Sequence, residues 1–144
     1  MPEPDYTPPD LTLIGEDHIR AYRETGGETG YLWNGVPTLL LTVTGRRSGR
    51  ELTSALIFGR DGDDYLVVAS KGGAPSHPLW YLNLQANPQA KIQVKGEELA
   101  VAARTASVDQ KPRLWKIMTD LWPNYDAYQS RTSRDIPLVV LSPT

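Results

Sequence analysis

The chain of 144 residues has no cysteine and two histidines, His18 and His77. The first absence excludes disulfides, thiolate metal sites and a cysteine nucleophile. The second leaves too few imidazoles for most histidine-rich metal sites, so no metal is expected. No apolar run approaches the roughly 20 residues that a membrane-spanning helix needs. There is no G-x-G-x-x-G, no P-loop and no G-x-S-x-G elbow, which withdraws the usual support for nicotinamide, nucleoside triphosphate and serine-esterase chemistry. Fifteen basic residues face seventeen acidic ones, with a pI near 5.6. That balance carries no footprint for nucleic acid. The start, Met1-Pro2-Glu3-Pro4-Asp5, is acidic and proline-rich, unlike a signal peptide. A soluble, cytoplasmic protein is the expectation.

With 40% hydrophobic and 22% charged residues the composition is that of a globular domain, and the length suits one core. Four of the twelve prolines (Pro2, Pro4, Pro8, Pro9) lie in the first ten residues. Residues 1–12 are therefore expected to be an extended or disordered tail, and residues 13–144 a single domain. A helix is expected from Glu16 to Glu24, ended by Gly26-Gly27. Strands are expected at Tyr31–Trp33, Thr38–Thr44, Leu52–Phe58, Tyr65–Ala69, Ala90–Val94, around Leu99–Ala103 and at Leu138–Leu141. Gly59-Arg60-Asp61-Gly62-Asp63 reads as a hairpin turn between Leu52–Phe58 and Tyr65–Ala69. Helices are expected at Asp109–Leu121 and Asn124–Thr132, separated by Pro123. Short strands with late helices do not make a βαβ series, so a small antiparallel or mixed barrel fits better than a doubly wound sheet.

Two segments carry the chemistry. After the strand Tyr65–Ala69 comes Ser70-Lys71-Gly72-Gly73, then a helix opening at Pro78, capped by His77 or Ser76, and stopped at Asn87-Pro88. Two glycines, one lysine and helix-start N–H groups compose an anion seat; the bland alternative is a surface connection with a solvated lysine. About 25 residues upstream, Gly45-Arg46-Arg47-Ser48-Gly49-Arg50 turns one strand into the next. Guanidinium forks suit phosphate or carboxylate, although an arginine-rich turn is commonly a solvated hairpin tip. Two such seats suggest one elongated, acidic ligand.

The succession Leu41-Thr42-Val43-Thr44-Gly45-Arg46-Arg47-Ser48-Gly49, Val68-Ala69-Ser70-Lys71-Gly72-Gly73-Ala74, His77-Pro78-Leu79-Trp80-Tyr81-Leu82-Asn83 and Ala86-Asn87-Pro88 resembles the deazaflavin-dependent nitroreductase family. Tyr128-Gln129-Ser130, Ser133-Arg134 and Ile136-Pro137 extend the resemblance, which covers about residues 30 to 144. It implies a mainly β fold with α elements (α+β): a split β-barrel, related to FMN-binding barrels, with inserted and C-terminal helices. It also implies coenzyme F420, an 8-hydroxy-5-deazaflavin with a phosphate and oligoglutamate tail. The activity implied is hydride transfer from reduced F420 to a quinone, nitroaromatic or activated enone. The alternatives are an FMN-dependent barrel oxidoreductase and a non-catalytic carrier of deazaflavin or another amphipathic ligand.

Carried onto this chain, the resemblance puts Arg46, Arg47, Ser48 and Lys71 on the cofactor's phosphate or glutamate tail. It lines the deazaflavin edge with Leu52, Thr53, Ser54, Ala55, Leu56 and Ile57, with Val68, Ala69 and Ser70 opposite. Leu79, Trp80, Tyr81, Leu82 and Asn83 close the pocket from the helix; Trp80 reads equally as core beside a stripe of Leu79, Leu82 and Ala86. Tyr125 and Tyr128, three residues apart on one helix face, would shape the acceptor pocket, with Tyr128, Tyr125 and Ser70 as the catalytic candidates. A phenol is protonated at neutral pH and can donate to an oxygen that gains negative charge. Leu52 stands where many relatives have a basic residue, with Arg50 two positions earlier. Trp122 fills another aromatic position, and Arg131 replaces a bulkier aromatic. The partner implied is a small-molecule electron acceptor, met at a membrane surface if it is a lipid quinone.

Overall fold

The computed structural model describes residues 6–144. Its first helix, α1 (Gly15–Thr25), has Glu16 and Asp17 in the first turn, where the helix dipole favours acids. It ends on Gly26 in the left-handed conformation, and its inward face carries His18, Ile19 and Tyr22. Then follow β1 (Leu32–Trp33), β2 (Val36–Thr44), β3 (Glu51–Ile57), β4 (Gly59–Asp61) and β5 (Asp64–Val68). After a tight turn at Lys71–Gly73 come α2 (Leu79–Ala86), β6 (Gln89–Val94), β7 (Glu97–Thr105), α3 (Lys111–Leu121), α4 (Asn124–Ser130) and β8 (Leu138–Pro143).

The strands form one curled sheet in the order β1-β2-β6-β7-β8-β5-β4, with β3 branching from β2. Every pairing is antiparallel. Alternation along the strands divides the interior in two. Leu39, Leu41 and Val43 of β2, Val67 of β5, Ile92 of β6, Val101 of β7 and Val139 and Leu141 of β8 fill the barrel. Leu66, Val68, Leu138 and Val140, one residue out of step, face the opposite side, where Leu114 and Met118 of α3 and Tyr125 of α4 cover them. This is the expected split β-barrel.

Three local expectations are corrected. Leu52–Phe58 and Tyr65–Ala69 do not pair with each other. The chain instead opens β4 at Gly59, and β4 closes the hairpin with β5 through Asp61↔Asp64. Gly59 permits this because a Cβ there would sit 2.7 Å from Met118 Sδ, so α3 packs directly on the backbone. At the head of α2 the cap is Pro78, not His77 or Ser76, and no side chain caps it. The buried face of α2 is Tyr81, Asn83 and Leu84, not Leu79, Leu82 and Ala86; Leu79 is 66% exposed. With almost every residue of α2 apolar or aromatic, periodicity alone could not orient it.

Two features fix the walls of the cleft described next. Tyr22 Oη donates to Thr38 O (3.0 Å) and accepts from Lys95 N–H (2.7 Å), tying α1 to β2 and to the β6–β7 turn. The segment before α1 is held by two asparagines that each mimic a backbone partner. Thr7 N–H donates to Asn124 Oδ1 and Asn124 Nδ2 donates to Thr7 O; Asn34 does the same for Asp10. Residues 1–5 of the expected tail lie outside the described residues.

Candidate active site

β3 pairs with β2 from Thr44↔Glu51 to Thr38↔Ile57 and, among the described residues, with no other strand. Its outer edge opens onto a cleft of about 620 Å³, within the range of small-molecule sites. Thr53, Ser54, Ala55, Leu56 and Ile57 supply that edge. Val68, Ser70, Lys71 and Gly72 form the facing wall, with Pro78 and Trp80 beyond them. Tyr125, Tyr128 and Trp122 stand at one end, and Ile14, Gly15, Glu16, His18, Ile19 and Trp33 complete the lining from the N-terminal side.

The 70–73 turn has an unusual backbone. Ser70 is right-handed (φ −80°, ψ −39°), whereas Lys71, Gly72 and Gly73 have φ of 47°, 63° and 83°. A right-handed residue followed by a left-handed one turns successive N–H groups to one side, the geometry of an anion-binding nest. Gly73 is buried, and a Cβ there would lie 2.5 Å from Tyr128 O. The absence of a side chain therefore lets α4 seat on the turn.

The aromatic end is two sets of ring contacts joined by a hydrogen bond. Tyr125 and Tyr128 meet edge to face with centroids 6.0 Å apart. Trp33 packs on Trp122 at 5.4 Å, and its indole N–H donates to Leu13 O. Tyr6, from the clamped N-terminal segment, packs on Tyr128 at 6.1 Å. Trp122 Nε1 donates to Tyr128 Oη at 3.4 Å, which leaves the Tyr128 proton free to point elsewhere. Burial, with Tyr128 adding to it, pushes the Tyr125 phenol up, so it stays protonated throughout the neutral range.

The residues singled out in the sequence divide into two groups. Thr53–Ile57, Val68, Ser70, Lys71, Trp80, Tyr125 and Tyr128 come together in this cleft. The others do not line it. Leu52 opens instead on a neighbouring charged hollow of about 580 Å³ beside Glu51, Lys91 and Glu98. Arg46 is occupied locally: its backbone N–H and its Nη1 both donate to Asn83 Oδ1 at 3.1 Å, which ties the arginine turn to α2. Arg47 and Ser48 are exposed at the hairpin tip. Ala69 and Tyr81 are buried in the barrel core, Tyr81 Oη meeting Thr105 Oγ1, while Leu79 faces solvent and Leu82 is half-buried. Trp33 and the lining residues before it gave no signal in the sequence, since only the fold brings α1 and β1 against β3.

The chain is similar to known proteins over most of its length. A family model described as F420H(2)-dependent quinone reductase matches residues 16–143. The F420H(2)-dependent quinone reductase Rv1261c of Mycobacterium tuberculosis (strain ATCC 25618 / H37Rv) is 45% identical over 129 residues, covering 87% of both chains. A solved F420-H2 dependent reductase (FDR-A) superposes with a TM-score of 0.69 at 36% identity, covering 74% of this chain and 94% of that one. A chain solved as a domain-swapped dimer gives 0.72 at 32% identity, covering 88% and 95%. The cofactor expected is the one these names carry, and the cleft fits it: an open strand edge for a flat polar ring and a nest with a lysine for an anion. This chain belongs to the F420H(2)-dependent quinone reductase family.

Proposed function

We propose that this oxidoreductase passes a hydride from reduced F420 to a quinone bound against Tyr125 and Tyr128. The observation that carries the reading is a single cleft joining the open edge of β3, the Ser70–Gly72 nest and the tyrosine pair. When bound, reduced F420 supplies the hydride. The protein's part is to hold, orient and keep dry. The edge groups of Thr53–Ile57 would hydrogen-bond the ring system, with Val68 and Ser70 opposite. Lys71 and the nest would take the phosphate, and Trp80 would close the α2 side. Tyr128, its Oη already accepting from Trp122, would donate to the acceptor oxygen that gains charge. The high pKa of Tyr125 keeps that side of the pocket neutral and donor-bearing. Nitroaromatics and activated enones also develop an oxygen anion, so they belong to the same proposal as secondary acceptors. The expected setting is the cytoplasm, with contact at a membrane surface for a lipid quinone; no described helix is long and apolar enough to cross a bilayer.

The test is titration of the purified chain with F420 and with FMN separately, followed by turnover of reduced F420 against quinones, nitro compounds and enones. Binding of F420 with fastest turnover on quinones is expected. Binding of FMN alone would make this an FMN barrel, and F420 binding without turnover on any acceptor would make it a carrier.

A further inference from the structure

Arg134 lies in the turn between α4 and β8, and every group its guanidinium touches is more than fifty residues away in the chain. Nε donates to Ala74 O at 2.8 Å, Nη2 to Ser70 O at 2.7 Å and Nη1 to Ala69 O at 3.2 Å. Nη1 also lies 3.0 Å from His77 Nδ1. A guanidinium has donors and no acceptor, so His77 Nδ1 must be the acceptor, and the imidazole is neutral with its proton on Nε2. None of these four partners is a carboxylate. Arg113 and Arg20, by contrast, are spent on Asp61 and Asp17 at the surface.

The three carbonyls belong to the segment that forms one wall of the cleft. Within it Lys71 is held left-handed without being a glycine, a strained conformation that persists only where the surroundings enforce it. Drawing the carbonyls of Ala69, Ser70 and Ala74 onto one planar fork is such an enforcement. We propose that Arg134 is a positioning residue of the cofactor site: its guanidinium, aimed by neutral His77, holds residues 69–74 in the shape that presents Ser70, Lys71 and Gly72 to the cofactor's anionic group. The proposal rests on the reading that this cleft takes F420.

It also makes the wall sensitive to pH. Among the described residues, the charged and titratable groups around His77 are Arg134, the Tyr81 ring at 5.0 Å, and Lys71, whose Nζ donates to the neighbouring Ser76 Oγ. All are cationic or neutral. Protonating His77 removes the acceptor and places two cations 3.0 Å apart. Burial and Arg134 accordingly hold the imidazole below its ordinary value. The clamp is complete above the ordinary histidine range and is lost as pH falls through the lowered value.

The test compares wild type, Arg134→Gln, Arg134→Lys and His77→Asn, the last keeping an acceptor at the Nδ1 position without titrating. F420 affinity is read by fluorescence from about pH 7.5 to about pH 4.5, extending well below the ordinary histidine range. Hydrogen exchange of residues 69–74 is read without cofactor. Arg134→Gln should bind F420 about ten- to a hundredfold more weakly, consistent with losing several charge-assisted bonds. Its 69–74 amides should exchange at least about tenfold faster, and Arg134→Lys should fall between. Wild-type affinity should drop on acidification relative to His77→Asn; the cofactor's own ionisation is common to both and cancels. Equal affinity and exchange in a folded Arg134→Gln, or parallel pH profiles for wild type and His77→Asn, would overturn the clamp. Should Arg134→Gln not fold, the lysine variant and the pH comparison decide. If wild type itself does not bind F420, the functional reading fails, while the exchange data still judge the clamp.

Discussion

Asn124 and Thr7 bond reciprocally: the Thr7 N–H reaches Asn124 Oδ1 at 3.0 Å, and Asn124 Nδ2 reaches Thr7 O at 2.8 Å. An amide side chain at the head of α4 thus substitutes for a β-partner and fastens the N-terminal segment beside the tyrosine pair. Asn124→Ala removes both bonds and should lower stability by about 1–3 kcal/mol, counting two modest hydrogen bonds at a buried site. It should also speed proteolytic cleavage before α1. Limited proteolysis with mass mapping checks this; an unchanged cleavage rate would show that other contacts hold the segment.

Gly73→Ala should be among the most damaging single substitutions. The residue needs a positive φ, and the added methyl would meet the Tyr128 carbonyl at 2.5 Å. Strain and overpacking together predict a loss of about 2–4 kcal/mol. Thermal denaturation measures it, and weakened F420 binding should follow in whatever folded fraction remains.

Tyr22→Phe tests the fastening of α1. Its hydroxyl is buried and serves Thr38 O, Gln93 O and the Lys95 N–H at once. Removing it leaves those backbone groups short of a partner, for an expected loss of about 1–3 kcal/mol by chemical denaturation. Cofactor affinity should change little if α1 stays docked through Ile19 and Leu40.

Tyr128→Phe keeps the ring contacts with Tyr125 and Tyr6 and deletes only the hydroxyl. Turnover should fall about ten- to a thousandfold, with F420 affinity close to wild type. Wild-type turnover on every acceptor would reduce Tyr128 to a wall of the pocket.

Lys71→Ala and Arg47→Ala separate the two basic segments. Lys71 lines the cleft, whereas Arg47 sits at the exposed hairpin tip. Lys71→Ala should weaken F420 binding about tenfold and flatten its salt dependence. Arg47→Ala should act only through the distal tail, with about threefold or less. An equal or larger effect at Arg47 would mean that the arginine turn, rather than the nest, is the main anion contact.

Much of this was visible in the sequence, and what was not has physical causes. Thr38–Thr44 and Tyr65–Ala69 were legible because β-rich apolar runs bounded by turns have few other fates. The β3 edge and the Ser70–Lys71 turn followed from motif order. β4 is invisible in the sequence because three residues starting with glycine carry no strand signal, and their pairing depends on α3 packing over Gly59. Arg134 was visible only as one letter of a motif. Its partners are backbone carbonyls some sixty residues away, and carbonyls leave no mark in composition. Nothing in the sequence announces Asn83 as a partner of Arg46, because a bond between residues 37 apart leaves no local pattern.

The open edge of β3 bears on solubility as well as on binding. A strand with one row of unpaired amides and carbonyls accepts any extended peptide of matching spacing, including the same strand of another molecule. A ligand lying along Thr53–Ile57 would occupy that row as another chain would. Filling the cleft should therefore also act as a solubility device, shielding the protein from strand addition, and cells short of the cofactor would hold a stickier population of the same polypeptide.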